Sequence, residues 1–452
     1  MTTTILARSV RVARGVALCT VMASTLGLAG CDILDVDNPN NLLEEDVRKA
    51  TAANAMVNGS LARIAETASA MWQEVGIVSD ELMWIGSRDA WQQLDFGFVS
   101  NPNNEFTDAY FPWLGRARWL ADAAEESVVE HSQTITTTQM KNDLARAHLY
   151  AGMIYMIIGE VQEDFAFSDK TEAAPPVGPS NMASVLDQAI AKLDNAVAAA
   201  QAAGNAEIET VALATRARAR HSRAIWDKIK PSPTPSAPLV NAAGAAADAR
   251  AVLDRVTGDW EYEFKYSSAT ITNEMAAWIN SRGENQFDTA SVVTVAQTNV
   301  RQVLGVRLLD PITNDVDPVV LAKLLEWKSG TITATGNVYP PMTLVSARLM
   351  RLILAEDALQ KGDETTFRAE INAIRALDDL PEYTGQIPAR DMLIHTRRTS
   401  LFMMGLRLND MYRFGIVDPN WRSGSDVVTQ PGTLLPITII EIRANPHMGG
   451  EG

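Results

Sequence analysis

Two tryptophans and several polar side chains lie close together in a stretch that has no helical periodicity, from Trp84 to Asn104. Trp84 and Trp91 could stack against the apolar C–H face of a sugar ring, and Arg88 and Gln92 could hydrogen-bond to its hydroxyl groups. Loops on a rigid scaffold are also where binding residues concentrate. The two indoles could equally well pack in a core, so the sequence leaves both alternatives open. Trp84, Arg88, Trp91 and Gln92 are the candidate ligand-binding residues.

Other tryptophans are weaker candidates because of where they lie. Three fall in amphipathic helical segments and are predicted to be core residues, namely Trp113, Trp119 and Trp226. Two lie in a second irregular region, at 260–339, and could contact a ligand, namely Trp278 and Trp327.

Arg407, Asp410 and Arg413 follow one another at intervals of three residues and could form a catalytic or anion-binding set. On a helix this spacing places them on neighbouring turns, where side chains of opposite charge interact. We interpret the three residues as a structural ion-pair network, because such pairs are common on helices.

Recognisable catalytic and cofactor motifs are missing from the sequence. The five histidines are scattered, with no HExxH pair, and there is no Gly-x-Ser-x-Gly elbow, phosphate loop or dinucleotide fingerprint. Oxygen-rich stretches at 35–37 and 310–317 lack the spacing of a calcium loop, and we interpret them as solvated turns. We therefore expect no catalytic residue, no metal ligand and no cofactor, and we predict that the protein is not an enzyme.

The N-terminus has the three parts of an export signal that ends at Cys31. Arg8, Arg11 and Arg14 form a positive region, an apolar stretch follows (GVALCTVMASTLGLAG), and residues 28–31 (LAGC) resemble the lipobox of bacterial lipoproteins. That resemblance implies cleavage before Cys31 and a lipid anchor on it. The apolar stretch is shorter than the ~20 residues that a membrane-spanning helix needs. A secretory signal that merely precedes a cysteine is the other alternative.

Charge and cysteine content limit the partners and the chemistry. The formal net charge is −16, and a surface this acidic disfavours nucleic acid because phosphates repel it. Cleavage before Cys31 would remove Cys19, the other cysteine of the chain. With a lipid on Cys31, no thiol would remain for a disulfide, a structural zinc site or thiol catalysis. Stability then has to come from a packed core.

Most of the remaining chain has the periodicity of amphipathic helices. The helical segments are 44–67, 104–131, 138–160, 181–203, 207–230, 241–256, 343–361 and 364–377. Small residues at the packing positions of 138–160 and 181–203 resemble a degenerate tetratricopeptide unit, although alanine-rich helix hairpins show them too. Short strands could form around 291–295 and 331–334. We predict an all-α fold of tetratricopeptide-like helix hairpins in an αα-superhelix, with long irregular loops and a few short strands.

The predicted organisation has three parts, which follow from these patterns. A signal peptide (1–30) precedes a polar, acidic and turn-rich tether (31–43), and a single helical domain follows (44–452). Within that domain we predict helical repeats at 44–230, a loop-rich insertion at 231–342 and C-terminal helices at 343–452.

Several motifs along the chain resemble those of the SusD/RagB family of surface nutrient-binding lipoproteins, and they occur in the same order as in that family. After Cys31 and the Leu-Asp-rich tether, residues 79–82 (SDEL) are similar to the family's early SDE motif. Residues 347–359 (ARLMRLILAEDAL) resemble its arginine-led helix, and residues 371–375 match its IN-x-x-R segment. Near the end, residues 435–446 resemble its closing LPIP…EI…NP pattern, with Thr438 in place of the second proline.

The most detailed resemblance lies in residues 397–415, where the family has an arginine and then a Glu-Gly-x-Arg-x-x-Asp-Leu-x-Arg-x-Gly run. The matching residues are Gly405, Arg407, Asp410, Arg413 and Gly415. Met404 stands where a glutamate is usual, and Met411 replaces the leucine.

The resemblance implies a non-enzymatic lipoprotein on the outer face of the outer membrane. It also implies a TonB-dependent, SusC-like β-barrel transporter as partner, to which a captured glycan or other nutrient is passed. Ligand contacts vary within the family, so none of them is transferred to a position here. Two alternatives remain from the sequence: a lipid-anchored tetratricopeptide scaffold for membrane-protein assembly and, with no motif in support, a lipid-anchored glycan hydrolase.

Overall fold

The structure, a computed structural model, describes residues 49–169, 172–230, 235–298, 301–328 and 337–449. Cys31, the predicted signal peptide and the predicted tether lie outside these residues. So do residues 331–334, where one of the two short strands is predicted. The first described element is a single 3₁₀ turn at Ala50–Ala52.

Helices make up most of the described chain. Seven lie in its first half: α1 (Ala53–Val78), α2 (Asp89–Asp95), α3 (Glu105–Ser132), α4 (Thr138–Val161), α5 (Ala183–Ala203), α6 (Ala206–Ile229) and α7 (Ala243–Leu253). The others are α8 (Glu274–Ala277), α9 (Pro318–Trp327), α10 (Ala347–Lys361), α11 (Glu364–Arg375), α12 (Ala389–Ser400), α13 (Arg407–Phe414), α14 (Asp426–Thr429) and α15 (Ile439–Ala444).

The described strands form three short antiparallel pairs, two of which join segments that are far apart in the sequence. The pairs are β1 (Leu82–Trp84) with β3 (Asn285–Phe287), β2 (Glu261–Phe264) with β6 (Met342–Ser346), and β4 (Val292–Thr298) with β5 (Arg301–Val306). In the first pair Leu82 lies opposite Phe287, and in the second Glu261 lies opposite Ser346. The structure confirms the predicted all-α fold with long irregular loops and a few short strands.

The predicted helix at 343–361 is wrong at its start, where residues 342–346 form β6. All five residues of this strand are buried, and the β-branched Thr343 and Val345 suit a strand that pairs with β2. The helix begins only at Ala347, and Ser346 caps it, since its Oγ accepts a hydrogen bond from the Leu349 amide at 3.1 Å. Of the helix predicted at 44–67, residues 44–48 lie outside the described residues, and α1 runs from Ala53 to Val78.

Helix α4 packs closely against α5, and α5 packs against α6. Two glycines on α4 make the first contact possible. A Cβ atom added to Gly152 would lie 2.6 Å from Leu193 Cγ, and one added to Gly159 would lie 2.6 Å from Leu186 Cγ. Both distances are too short for a carbon–carbon contact, so these positions accept only glycine without rearrangement. This packing accounts for the small-residue spacing that predicts the tetratricopeptide-like hairpin.

Helix α1 runs through the middle of the core. Every residue from Thr67 to Val78 is buried, including the acidic Glu74. Burial raises the pKa of the Glu74 carboxyl to about 8, because an apolar environment disfavours the ionised form. Glu74 is therefore mostly protonated at neutral pH.

The glycine contacts lead to a matched stability test. Gly159→Ala should lower the free energy of unfolding by about 1–3 kcal/mol, because the new methyl group overlaps Leu186 in a packed interface. Gly59 lies on an exposed face of α1 with nothing within 4 Å of an added Cβ. Gly59→Ala should therefore raise the free energy of unfolding by about 0.5–1 kcal/mol. Urea unfolding measures both, and equal effects would contradict the close approach of α4 and α5.

Candidate functional site

The segment that carries the candidate ligand residues consists of β1, a short loop and α2. The Glu284 carboxylate holds the loop in place, since its Oε2 accepts hydrogen bonds from the amides of Ser87 at 2.7 Å and Arg88 at 3.0 Å. Its Oε1 accepts a third from the Ser87 hydroxyl at 3.0 Å. The loop is thus fixed to the segment that precedes β3.

Trp91 is a core residue in this structure, which is the packing alternative that the sequence leaves open. The side chain has no exposed surface, and its ring stacks on Phe106 with centroids 4.1 Å apart. The edge of Trp278 lies against it at 5.4 Å. Trp91 lies on the inner face of α2, so α3 and the segment after α8 cover the indole. Trp278 and Trp327, the weaker candidates, are buried as well.

The three other candidates lie at or near the surface. Trp84 is half-buried and packs against the core, where it pairs with Asn285 in the β1–β3 ladder. Arg88 is exposed and forms an ion pair with Glu105 at 3.3 Å. Gln92 is half-buried and lies on α2, four positions after Arg88, which is the N-cap residue of that helix. Arg88 and Gln92 are thus accessible polar residues at the start of α2.

Three buried carboxyl groups gather at the end of α2. They belong to Asp95, Asp288 and Asp418, and the Asn420 amide nitrogen lies 3.4 Å from both Asp95 Oδ1 and Asp288 Oδ2. Burial, together with repulsion between the carboxylates, raises the pKa of Asp95 and of Asp418 to about 7. This cluster therefore carries less than its full negative charge at neutral pH.

Asp410 and Arg413 belong to a buried ion-pair network, as the sequence predicts. Arg413 Nε donates to Asp410 Oδ1 at 2.8 Å, and its guanidinium also binds Glu356 of α10. Arg397 Nε donates to Asp410 Oδ2 at 2.8 Å, and His221 Nε2 lies 3.1 Å from Glu356 Oε2. The network joins four helices, α6, α10, α12 and α13, which indicates a structural role.

Arg407 has a different partner from the one that its spacing suggests. Its Nε and Nη2 bind the Asp80 carboxylate at 2.6 and 2.8 Å, across 327 positions of the chain. The neighbouring Glu81 is buried, and its Oε1 accepts a hydrogen bond from the Met403 amide at 2.8 Å. The early SDE motif therefore contacts the C-terminal arginine motif directly.

The glycine of the C-terminal motif lies in the same contact region. Gly405 has a φ of +72°, and an added Cβ would overlap the ring of Trp72. Met403, two residues earlier, also has a positive φ, 65°, which is uncommon for a residue with a side chain. The turn between α12 and α13 is thus shaped to bring Met403 and Arg407 onto Glu81 and Asp80.

The oxygen-rich stretch at 310–317 does not form a solvated turn throughout. Asp310 and Asp317 are buried, and with His395 they have ligand atoms within 4.8 Å of one another, a spacing that could hold a metal ion. Asp310 Oδ2 already accepts from Arg375 at 2.7 Å, and Asp317 Oδ1 caps α9 by accepting from Val319 and Val320 amides. These partners satisfy both carboxylates without a metal.

Two of the grooves on the surface formed by the described residues differ in their lining. One has a volume of about 460 Å³ and a polar lining that includes Asn142, Arg146, Tyr150 and Tyr262. The other has a volume of about 540 Å³ and lies between α3 and α15. Its lining is mostly apolar, and we call it the α3–α15 groove.

Trp119 lines the α3–α15 groove, which corrects its prediction as a core residue. Its side chain is only half-buried, as are those of Trp113 and Trp226. The helical periodicity places Trp119 on an apolar face correctly, and that face lines the groove. Gly115, one turn earlier, leaves open space beside the ring, and this spacing is the signal in the sequence that could have indicated a groove.

Comparison with solved structures identifies the fold. A SusD superfamily protein from Bacteroides thetaiotaomicron aligns over 88% of this chain and 98% of its own, with 14% identity and a TM-score of 0.59. A SusD-like carbohydrate binding protein from Bacteroides fragilis aligns over 89% and 99%, with 13% identity and a TM-score of 0.58. A SusD superfamily protein from Bacteroides vulgatus aligns over 89% and 99%, with 11% identity and a TM-score of 0.58.

These identities are low, so the likeness shows the fold, which is that of SusD. The resemblance in the sequence motifs is thereby confirmed at the level of the fold. No sequence profile of a known family matches the chain, and no curated protein matches it in sequence. Among the helices of the described residues, none is long and apolar enough to cross a membrane.

Because of the ion-pair network, removing the charge of one carboxylate should greatly lower the stability of the fold. Glu356→Gln should lower the free energy of unfolding by about 3–5 kcal/mol, because it leaves the Arg413 and Arg397 charges buried with less compensation. As a control, Glu364→Gln removes an exposed ion pair with Arg368 and should cause no measurable change. Chemical denaturation of both variants measures the difference. A similar effect of the two substitutions would show that the network does not stabilise the fold.

The same residue gives an expected pH dependence. Burial alone would raise the pKa of Glu356, but Arg413, His221 and Arg397 hold it well below its usual value. Its contribution to stability is therefore fully present above the unfolded-state pKa of about 4.5 and is lost as the pH falls through the lower folded-state pKa. Unfolding measured from pH 6 downwards should show a steeper loss for the native sequence than for Glu356→Gln. Parallel pH profiles would contradict this assignment.

Proposed function

We propose that the chain is a lipid-anchored capture protein of the SusD/RagB type. It binds a glycan or another nutrient outside the cell and passes it to a TonB-dependent β-barrel transporter without chemical change. The agreement between the SusD fold over most of the chain and the order of the sequence motifs carries this proposal. The proteins of known structure that have this fold include SusD-like carbohydrate binding proteins.

The contacts of the motif residues support a binding role over hydrolysis. A glycosidase needs two carboxylates on either side of the scissile bond. Asp410 and Glu356, which lie in the helical motifs that resemble the family, are both buried and bound to arginines. These carboxylates are engaged in holding helices together and have no exposed surface that a substrate could reach.

Arg88 and Gln92 are the proposed polar contacts with the ligand, and the half-buried Trp84 is the proposed aromatic contact. Arg88 is anchored through its backbone by Glu284, while its guanidinium extends to the exposed Glu105. An arginine and an amide one turn apart can donate to and accept from hydroxyl groups. The segment is held by hydrogen bonds before a ligand arrives, which limits the entropy lost on binding.

Cys31 is the proposed site of lipid attachment, and the outer membrane is the proposed location. The lipid would keep the protein beside its transporter, and this proximity raises the effective concentration of the two partners. A weak docking surface between them would then suffice.

Ligand binding can be tested by calorimetry with a panel of oligosaccharides. Arg88→Ala and Gln92→Ala should each weaken the binding of a responding oligosaccharide by about fivefold to tenfold, the effect of one lost hydrogen bond. Arg368→Ala, which removes another exposed helical arginine, should leave the affinity unchanged. If the chain recovers protein partners but binds no oligosaccharide of the panel, the result would instead support the scaffold function.

Anchoring and partnership can be tested in cells. Cys31→Ala should move the protein from the outer-membrane fraction to the soluble fraction, while the circular dichroism spectrum and ligand affinity stay the same. Affinity purification of the anchored protein from outer membranes should recover a large TonB-dependent β-barrel. Membrane retention of the variant, or failure to recover such a barrel, would contradict the proposal.

A further inference from the structure

The α3–α15 groove has the size and lining of a small-molecule site. Its volume of about 540 Å³ lies within the range of pockets that hold a ligand. The rings of Phe111 and Phe165 and the aliphatic Leu120 form its interior, and Trp119 forms one wall. This groove is built from residues other than the Arg88–Gln92 pair.

The interior of the groove is fixed by packing. Phe111 lies against Phe165 with centroids 5.7 Å apart, and Phe165 meets Phe167 edge-on at 5.0 Å. Phe167 in turn stacks on Tyr155 at 5.2 Å. A wall that is supported by a continuous aromatic cluster keeps its shape, so an entering ring meets a preformed surface.

Gly115 keeps the groove open. It lies on α3 in the groove lining, and nothing comes within 4 Å of a Cβ added there. A glycine inside a helix destabilises it by about 0.5–1 kcal/mol relative to alanine, and here no close packing contact requires the glycine. A side chain at this position would enter the space beside Trp119, because Gly115 and Trp119 are one turn apart.

Polar groups are confined to the rim of the groove. Arg63 and Arg116 belong to the rim, and so do Ser168, Asp169 and Glu441. Arg116 is exposed, its Nε donates to the Pro112 carbonyl at 3.3 Å, and it forms no ion pair with a described residue. Glu441 Oε1 accepts from Ser168 Oγ at 3.1 Å and from Asn445 Nδ2 at 2.9 Å. The entrance therefore carries both hydrogen-bond donors and acceptors.

Because the interior of the groove is apolar and its polar groups lie at the rim, the groove favours a ligand with an apolar part and a polar part. An unsubstituted sugar ring inside the groove would leave its hydroxyl groups without hydrogen-bond partners, which costs free energy. A planar apolar ring would gain from burial against Phe111, Phe165 and Trp119. A polar portion attached to that ring would stay at the rim, within reach of Arg116 and Glu441.

We propose that the α3–α15 groove is a second binding site, separate from Arg88 and Gln92, and that it takes the aromatic ring of an aryl glycoside, a sugar that carries such a ring. The proposal rests on the proposed function, because it takes the sugar portion from that function and adds the ring. The ring occupies the interior of the groove beside Trp119, and the sugar lies at the charged rim.

The test uses 4-methylumbelliferone, its β-glucoside and free glucose as probes for the chain from residue 31 with Cys31→Ala. Calorimetry should show saturable binding of the first two at one site per chain. Gly115→Leu fills the groove and should weaken both by at least about tenfold, and Trp119→Ala should weaken both by about fivefold to tenfold. The matched controls are Gly59→Leu, which fills open space elsewhere, and Trp226→Ala, which removes another half-buried helical tryptophan. Both controls should bind like the parent chain, and circular dichroism checks that all four variants fold.

Failure of this inference is distinguishable from failure of the proposed function. Binding of the oligosaccharide panel without any binding of 4-methylumbelliferone would overturn the aryl site and leave glycan capture intact. Binding of 4-methylumbelliferone that neither Gly115→Leu nor Trp119→Ala weakens would also overturn it, by placing the ring elsewhere. If the aglycone binds and both groove variants weaken it, the site is established even where no unsubstituted oligosaccharide binds.

Discussion

The burial of charged groups is the constraint on which this fold most depends. Arg413, Arg397, Asp410 and Glu356 are all almost completely buried, and an unpaired charge in such a position is very costly. Each of the four is compensated only when helices α10, α12 and α13 occupy their positions together. Hydrophobic packing alone tolerates small shifts between helices, whereas bidentate contacts between arginine and carboxylate do not. The network thus fixes the relative positions of the helices.

A second buried pair extends the same constraint to the N-terminal helices. Arg218 of α6 binds the Glu160 carboxylate through Nε and Nη2 at 3.0 and 2.7 Å, and its Nη2 also donates to the Met404 carbonyl at 2.9 Å. Its guanidinium also lies 5.2 Å from the ring of Trp72. One side chain therefore connects α4, α6, α1 and the turn before α13. The fold is organised around a few arginines as much as around its apolar core.

Sequence patterns were sufficient where local spacing determines the structure, and insufficient where distant segments meet. The helices from Glu105 to Ile229 follow their periodicity within two residues at each end. The spacing of Asp410 and Arg413 predicts their contact, but nothing local to Arg407 identifies Asp80 as its partner. Residues 342–346 form a strand because β2 pairs with them, and the sequence of these five residues does not identify that partner. Trp91 and Trp119 show the same limit, since periodicity gives the face of a helix but not whether another element covers it.

The contacts of the SDE motif have a consequence for the order of folding. Asp80, Glu81 and the Val78 carbonyl bind Arg407, the Met403 amide and the Trp421 indole, all more than 320 positions later. A chain that emerges N-terminus first holds these two carboxylates without partners until nearly all of it is present. The central helix therefore cannot complete its burial early, and topology of this kind slows folding. The export that we propose for this chain would benefit from that delay, because a C-terminal segment closes the core.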